Sequence, residues 1–138
     1  MSSPAANESW ELMQKLMMTF SRPRFVELCA EYDITPPQLF TLKHLEQDRM
    51  LSMSEAAKLL SCDASNVTGI VDRLEARGLV ERRSAPGDRR VKMLALTDKG
   101  ASLREELSRR MADPPPALAK LTASDQKALR DILRRALA

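Results

Sequence analysis

Residues 61–100 read SCDASNVTGIVDRLEARGLVERRSAPGDRRVKMLALTDKG, and this segment decides the fold. Its first half carries apolar residues at helical spacing, and Gly78 supplies a left-handed stop for that helix. After Gly78 the pattern changes to alternation, which predicts two short strands, 79–85 and 91–97, around the turn PGDRR. The segment therefore predicts a helix followed directly by a β-hairpin.

Two helices are predicted upstream of this segment from their N-terminal caps. Thr35 with Gln38 forms a capping-box pattern, and Ser52 with Glu55 repeats it. A tight turn then leads to Asp63, the predicted cap of the helix in the quoted segment. Two short helices joined by a few residues predict a helix-turn-helix, and the hairpin that follows makes it a winged helix.

Further helices are predicted on both sides of this core. The first runs from about 7 to 20, and Pro23 is expected to interrupt it before a second short helical piece. Thr97 is expected to cap the helix after the hairpin, the prolines at 114–116 to end it, and Thr122 to cap the last helix. The predicted fold class is mostly α with a small β-hairpin wing.

The charge distribution points to a polyanionic partner. The 138-residue chain, long enough for one domain, has a formal net charge of only +3. Segment 77–92 nevertheless carries six basic residues against two acidic ones. The six basic residues are Arg77, Arg82, Arg83, Arg89, Arg90 and Lys92. Such clustering on one short element is expected of a phosphate-facing surface.

Other classes of function find little support in the sequence. The N-terminus lacks the pattern of a secretory signal, and no stretch approaches the ~18 apolar residues of a membrane span, so a cytoplasmic protein is expected. Cys29 and Cys62 lie far apart without metal-like spacing. Because phosphate-loop and nucleophile motifs are also missing, we expect no enzyme, no cofactor and no metal.

The second helix of a helix-turn-helix can enter the major groove of DNA, where small polar side chains meet base edges. We expect contacts to DNA from Ser65, Asn66, Thr68, Gly69 and Arg73. In this set Gly69 allows a close backbone approach, and Arg73, farther along, holds the phosphate backbone. Asp72 and Glu75 on the same helix are expected only to pair with Arg73 or Arg77.

The hairpin tip is expected to reach the neighbouring minor groove or its phosphates. A narrow A·T-rich minor groove attracts an inserted arginine, a role open to Arg89 or Arg90. Asp88 is expected to accept a hydrogen bond from one of these arginines and so preorganise it. Lys92 completes the basic surface of the hairpin.

The quoted segment resembles the DNA-binding region of the MarR (multiple antibiotic resistance regulator) family. The matching residues of the wing motif are Asp88, Arg89, Arg90, Leu96, Thr97 and Gly100. The resemblance implies a homodimeric transcription factor, usually a repressor, that binds double-stranded DNA at a palindromic operator. It also implies dimerisation helices at 7–34 and 101–138, a DNA-binding lobe at 35–100, and a possible small-molecule effector.

Two alternatives remain open beside this interpretation. One is a redox-sensing regulator that uses Cys29 or Cys62, although free cysteines are more often buried packing residues. The other is a winged helix that binds protein instead of DNA. A protein-binding version should expose apolar residues at the hairpin tip and on the second helix, where this sequence has Ser, Asn, Thr, Gly and Arg.

Overall fold

The computed structural model describes residues 1–61 and 64–138, with Ala64 and Ser65 described by their backbone alone. The predicted cap Asp63 and the candidate redox residue Cys62 lie outside the described residues. The chain forms two compact units. The terminal unit comprises Met1–Arg22 and Ala112–Ala138, and the central unit comprises Pro23–Met111.

The predicted fold class is confirmed: the described chain is mostly helical and carries a small three-stranded antiparallel sheet. In chain order the elements are α1 (Pro4–Leu16), a π-helical segment (Met17–Ser21), α2 (Arg22–Glu31), α3 (Pro36–His44), β1 (Leu51–Ser52), α4 (Met53–Leu60), α5 (Ala64–Ala76), β2 (Val80–Ala85), β3 (Asp88–Leu96), α6 (Asp98–Ala112), α7 (Pro116–Ala119) and α8 (Ala123–Leu137).

The four described helix caps predicted from the sequence are confirmed. Thr35 and Gln38 form a complete capping box at the start of α3. The hydroxyl oxygens of Ser52, Thr97 and Thr122 each accept a backbone N–H three residues ahead, at 3.0, 3.0 and 3.1 Å. A cap of this kind stabilises a helix by about 1 kcal/mol, so these side chains fix where α3, α4, α6 and α8 begin.

The predicted interruption at Pro23 is wrong. Helical hydrogen bonding continues through the π-helical segment, where the N–H of Arg22 donates to the carbonyl of Met17. Pro23 is the second residue of α2. Proline is tolerated in the first turn of a helix, and a single-turn π bulge is a form in which helical backbone continues with i→i+5 hydrogen bonds.

The predicted hairpin is confirmed, and it belongs to a sheet with the strand order β1-β3-β2. Strands β2 and β3 pair from Val80 opposite Leu96 to Ser84 opposite Lys92. Strand β1, which pairs with the base of β3, was not predicted because two residues are too short to show alternation.

The core lies in the central unit and consists mainly of aliphatic side chains. Helix α5 contributes Val67, Val71 and Leu74, which are fully buried as their spacing predicts. Helix α4 contributes Ala56 to the core. The apolar spacing of this helix predicts that Leu59 also faces the core, but its side chain is 39% exposed. With only eight residues, α4 buries a narrower stripe than its apolar pattern suggests.

The connection from α5 into the hairpin is a Schellman motif. Gly78 has φ +70°, its N–H donates to the carbonyl of Glu75 at 2.9 Å, and the Leu79 N–H donates to Leu74 at 3.0 Å. The Thr97 hydroxyl donates to the carbonyl of Gly78 at 2.6 Å. These bonds set the direction in which the chain leaves α5 and enters β2.

We predict that Gly100→Ala destabilises the fold by about 1–3 kcal/mol or more, because overpacking forces backbone to move. A Cβ at Gly100 would lie 2.0 Å from the carbonyl oxygen of Leu79. Gly69→Ala is the control: nothing lies within 4 Å of its Cβ, and this helical substitution should add about 0.5–1 kcal/mol. Urea unfolding measures both, and equal midpoints for Gly100→Ala and the wild type would contradict the prediction.

Candidate nucleic-acid interface

One face of α5 is buried and the other is open to solvent. Val67 and Val71 pack into the core, while Asn66, Thr68 and Gly69 are exposed. Ser65 lies in the first turn of α5 by its backbone, and its side chain lies outside the described part of the structure. The predicted DNA-contacting residues of this helix that the structure describes therefore share the exposed side.

Gly69 has no structural requirement in the described part of the protein. It sits in the interior of α5 with helical backbone, and a Cβ there would meet nothing within 4 Å. A glycine in a helix interior costs about 0.5–1 kcal/mol relative to alanine. Gly69 therefore leaves open space beside α5 at a position where any other residue would place a side chain.

The acidic residues of α5 do not pair as predicted. Asp72 and Glu75 were expected to contact Arg73 or Arg77, but both contact Arg82 of β2. The distances are 2.6 Å from Nη2 to Asp72 Oδ1 and 2.6 Å from Nη1 to Glu75 Oε1. The hydrogen bond to Asp72, with support from Glu75, raises the pKa of Arg82 above its usual value. The prediction failed because only the fold brings β2 beside α5.

Half of the basic residues counted in segment 77–92 act inside the central unit. The Arg77 guanidinium donates to the carbonyls of Tyr32 and Asp33, at 2.8 and 2.6 Å. Arg82 binds the two acids of α5, and Arg83 Nε donates to Glu81 at 2.6 Å. The expectation that this whole segment faces phosphate is therefore corrected to a narrower one that concerns the hairpin beyond residue 87.

The hairpin tip carries the other basic residues. Arg89, Arg90 and Lys92 are all exposed, and Lys92 Nζ also contacts the Ser84 hydroxyl at 3.2 Å. The carboxylate of Asp88 accepts the backbone N–H of Arg90 at 2.9 Å. Asp88 thus shapes the backbone of the turn, in contrast to the expected bond to a guanidinium.

A cavity of about 750 Å³, which was not predicted from the sequence, lies in the central unit beside α5. Its apolar wall includes Phe25, Phe40, Leu59 and Ile70. Lys43 and Arg73 are the charged residues among its described lining, and Asn66 and Gly69 also reach it. Because side chains from α2, α3, α4 and α5 meet here, periodicity within any one helix carries no signal of it.

Cys29 does not have the surroundings of a reactive thiol. It is 6% exposed within the core of the central unit. Burial raises the pKa of its thiol, which lowers the fraction of the reactive thiolate. Cys62, the other redox candidate, lies outside the described residues.

The described residues offer neither a membrane-spanning helix nor a cluster of metal ligands. Across 1–61 and 64–138, no helix is long and apolar enough to cross a membrane. The same residues contain no group of three or more His, Cys, Asp or Glu side chains placed to hold a metal ion.

Comparison with known proteins places this geometry in one family. The family model described as MarR family matches residues 34–92. The repressor NicR of Pseudomonas putida is 31% identical over 114 residues, which cover 80% of this chain and 71% of NicR. MarR of Escherichia coli is 32% identical over 113 residues, with 80% and 78% covered. The repressor MdtR of Bacillus subtilis is 38% identical over 86 residues, but the match spans only 56% of its length.

Solved structures agree with this assignment. The crystal structure of YusO from Bacillus subtilis has a TM-score of 0.78 and 30% identity, and the match covers 99% of this chain and 98% of YusO. A complex of S. aureus MepR with DNA has a TM-score of 0.67 at 22% identity and covers 92% and 99%, which supports the fold alone. By name, NicR and MdtR are transcriptional repressors, a class of regulator and not of enzyme. The chain is a winged-helix protein of the MarR family of DNA-binding transcriptional regulators.

Proposed function

We propose that this protein is a homodimeric repressor that binds a palindromic operator in double-stranded DNA. The observation that carries the proposal is the pairing of two exposed surfaces in the central unit. One is the face of α5 with Asn66, Thr68 and Gly69, and the other is the hairpin tip with its two arginines. A helix in the major groove and a basic hairpin at the next minor groove form a common mode of DNA recognition.

Within this mode each residue has a chemical role. Asn66 suits adenine, and Ser65 and Thr68 suit bases or phosphates. Arg89 or Arg90 enters the minor groove. The phosphate backbone is held by Arg73 of α5 and Lys92 of the hairpin, with Asp88 shaping the turn between the strands.

The terminal unit supports a second copy of the chain as a partner. None of its residues is buried, and several large apolar side chains stand exposed. They include Trp10, Leu12, Met13, Met17, Met18, Ile132, Leu133 and Leu137. We assign dimerisation to helices within 7–34 and 101–138 and DNA binding to 35–100. Two-fold symmetry then requires half-sites about one helical turn, roughly 10 bp, apart.

Repression relieved by a small ligand is the regulatory part of the proposal. The relatives NicR and MdtR both repress transcription. The cavity beside α5 is supporting evidence for an effector, because Lys43 and Arg73 suit an anionic group on an otherwise apolar molecule. A ligand that prefers one arrangement of the two α5 helices would shift the dimer away from its DNA-bound state. We propose the cytoplasm as the location of this regulator.

The two alternatives have less support. The burial and raised pKa of Cys29 disfavour a redox switch at that residue. The exposed side of α5 carries polar and small residues where a protein-binding winged helix needs apolar ones.

Selection of binding sites from random duplex DNA at near-physiological salt tests the proposal. We expect enrichment of a palindrome whose half-sites lie about one turn, roughly 10 bp, apart. Sedimentation of the free protein and of its complex with the selected site gives the stoichiometry. Enrichment of a single half-site by a monomer would contradict the homodimer, and absence of any enriched sequence would contradict the operator.

We predict that Arg89→Ala weakens binding to the selected operator by about 1–3 kcal/mol and relaxes preference at the base pairs beneath the hairpin tip. The reason is loss of a guanidinium from the minor groove. Titrations on the operator and on single-base variants measure both effects. The prediction is contradicted if Arg89→Ala lowers affinity equally for every DNA sequence and makes that affinity less dependent on salt. Arg89 would then contact phosphate only.

We also predict that Gly69→Ala weakens operator binding although it stabilises the fold, because the methyl group occupies the space that DNA needs. Operator titration and urea unfolding on the same preparation separate the two effects. Ala76→Gly in the last turn of α5 is the control, with lower stability and unchanged affinity expected. If affinity follows stability in both variants, Gly69 does not face DNA.

A further inference from the structure

Two carboxylates on the DNA-reading helix need an explanation. Asp72 and Glu75 are exposed and lie one turn apart on α5. Uncompensated carboxylates on such a helix repel phosphates, which lowers affinity for DNA. Their contact with Arg82 neutralises part of this charge, but a cation on α5 itself would do so equally well. Neutralisation of charge therefore does not explain why the arginine that contacts these carboxylates lies on β2.

Arg82 joins α5 to the hairpin through three hydrogen bonds. Its two terminal nitrogens donate to Asp72 and Glu75 at 2.6 Å each, and its backbone N–H donates to Glu75 Oε2 at 3.1 Å. The side chain is only 24% exposed. A planar guanidinium held by two carboxylates restrains direction as well as distance, which a lysine ammonium does not.

The position of Arg82 near the base of the hairpin makes this restraint effective. Arg82 stands opposite Leu94 in the register, five residues before Gly87 at the tip. At roughly 3.3 Å per residue the tip lies about 17 Å away, so a 10° swing of the hairpin displaces it by about 3 Å. A displacement of that size separates an arginine inserted in a groove from one outside it.

We propose that Arg82 is a positioning residue that fixes the angle between the hairpin and α5, so that Arg89 and Arg90 reach the minor groove while α5 occupies the major groove. It does so through Asp72 and Glu75, without touching DNA. This inference rests on the proposed DNA-binding mode and adds to it a residue that sets the geometry of the two contacts.

The test compares footprints of four variants on the selected operator at saturating protein concentration. Hydroxyl-radical cleavage reports the minor groove beneath the hairpin tip, and dimethyl sulfate reports guanines of the major groove beside α5. Arg82→Gln removes the link. Arg83→Gln is the matched control, since it loses the same charge and the Arg83 side chain, in the described part of the structure, pairs with Glu81 of its own strand. Arg82→Lys keeps the positive charge but loses the planar guanidinium whose two terminal nitrogens contact the two carboxylates. Asp72→Asn with Glu75→Gln breaks the link while Arg82 stays.

We expect Arg82→Gln to lose protection beneath the tip, to keep protection beside α5, and to weaken operator binding about tenfold, the scale of a lost minor-groove arginine. Arg82→Lys should not restore the lost protection, and Arg83→Gln should retain it. The double variant of the acids should also lose it, although its net charge is more positive by two. Urea unfolding of each variant confirms that the protein is folded under the footprinting conditions.

Three results would overturn the inference. Tighter binding by the double variant with full protection would mean that Arg82 has no positioning role. Full protection beneath the tip in Arg82→Lys would mean that the charge of residue 82 alone matters. Loss of protection both beneath the tip and beside α5 in Arg82→Gln would mean that Arg82 only stabilises the fold. If the wild type itself gives no protection beneath the tip, the proposed binding mode fails at the hairpin, which is a different outcome from these three.

Discussion

The carbonyls of Gly78 and Leu79 are the point at which α5, the hairpin and α6 are held together. The carbonyl of Gly78 accepts the Thr97 hydroxyl at 2.6 Å, and that of Leu79 accepts the Thr97 backbone N–H at 3.2 Å. Gly100 leaves room for the Leu79 carbonyl, which any Cβ would strike. The placement of α5, of the hairpin and of α6 therefore depends on this one junction.

The same junction gives the wing motif of the family a physical meaning. Thr97 caps α6 through the Gly100 N–H and at the same time ties the end of β3 to the end of α5. Gly100, three residues later, does not have a positive φ, so its backbone conformation does not require glycine. The requirement comes from the lack of space for a Cβ beside the Leu79 carbonyl. In the C-terminal half of the wing motif, Thr97 and Gly100 are needed for packing at this junction. In its N-terminal half, the aspartate and the two arginines form the exposed tip.

The arginines between residues 77 and 90 divide into those that make contacts within the fold and those that are exposed at the hairpin tip. Arg77 closes the α2–α3 turn by donating to two carbonyls, and Arg82 joins β2 to α5. Arg89 and Arg90 stand at the tip. These arginines lie within fourteen positions of one another but have different environments. A count of charge over the segment does not distinguish them. Substitution of Arg77 or Arg82 removes contacts within the fold, whereas substitution of Arg89 or Arg90 alters the exposed tip.

The sequence by itself determined the features that depend on neighbours in the chain. Helix caps such as Thr35 and Thr97, the left-handed stop at Gly78 and the alternation of the hairpin are local, so propensity and spacing predicted them. Only the tertiary structure decided the partners of Asp72 and Glu75, the two-residue strand β1 and the cavity beside α5. Each of these joins residues from separate elements, and the energies that select them arise from contacts which exist only after the chain has folded.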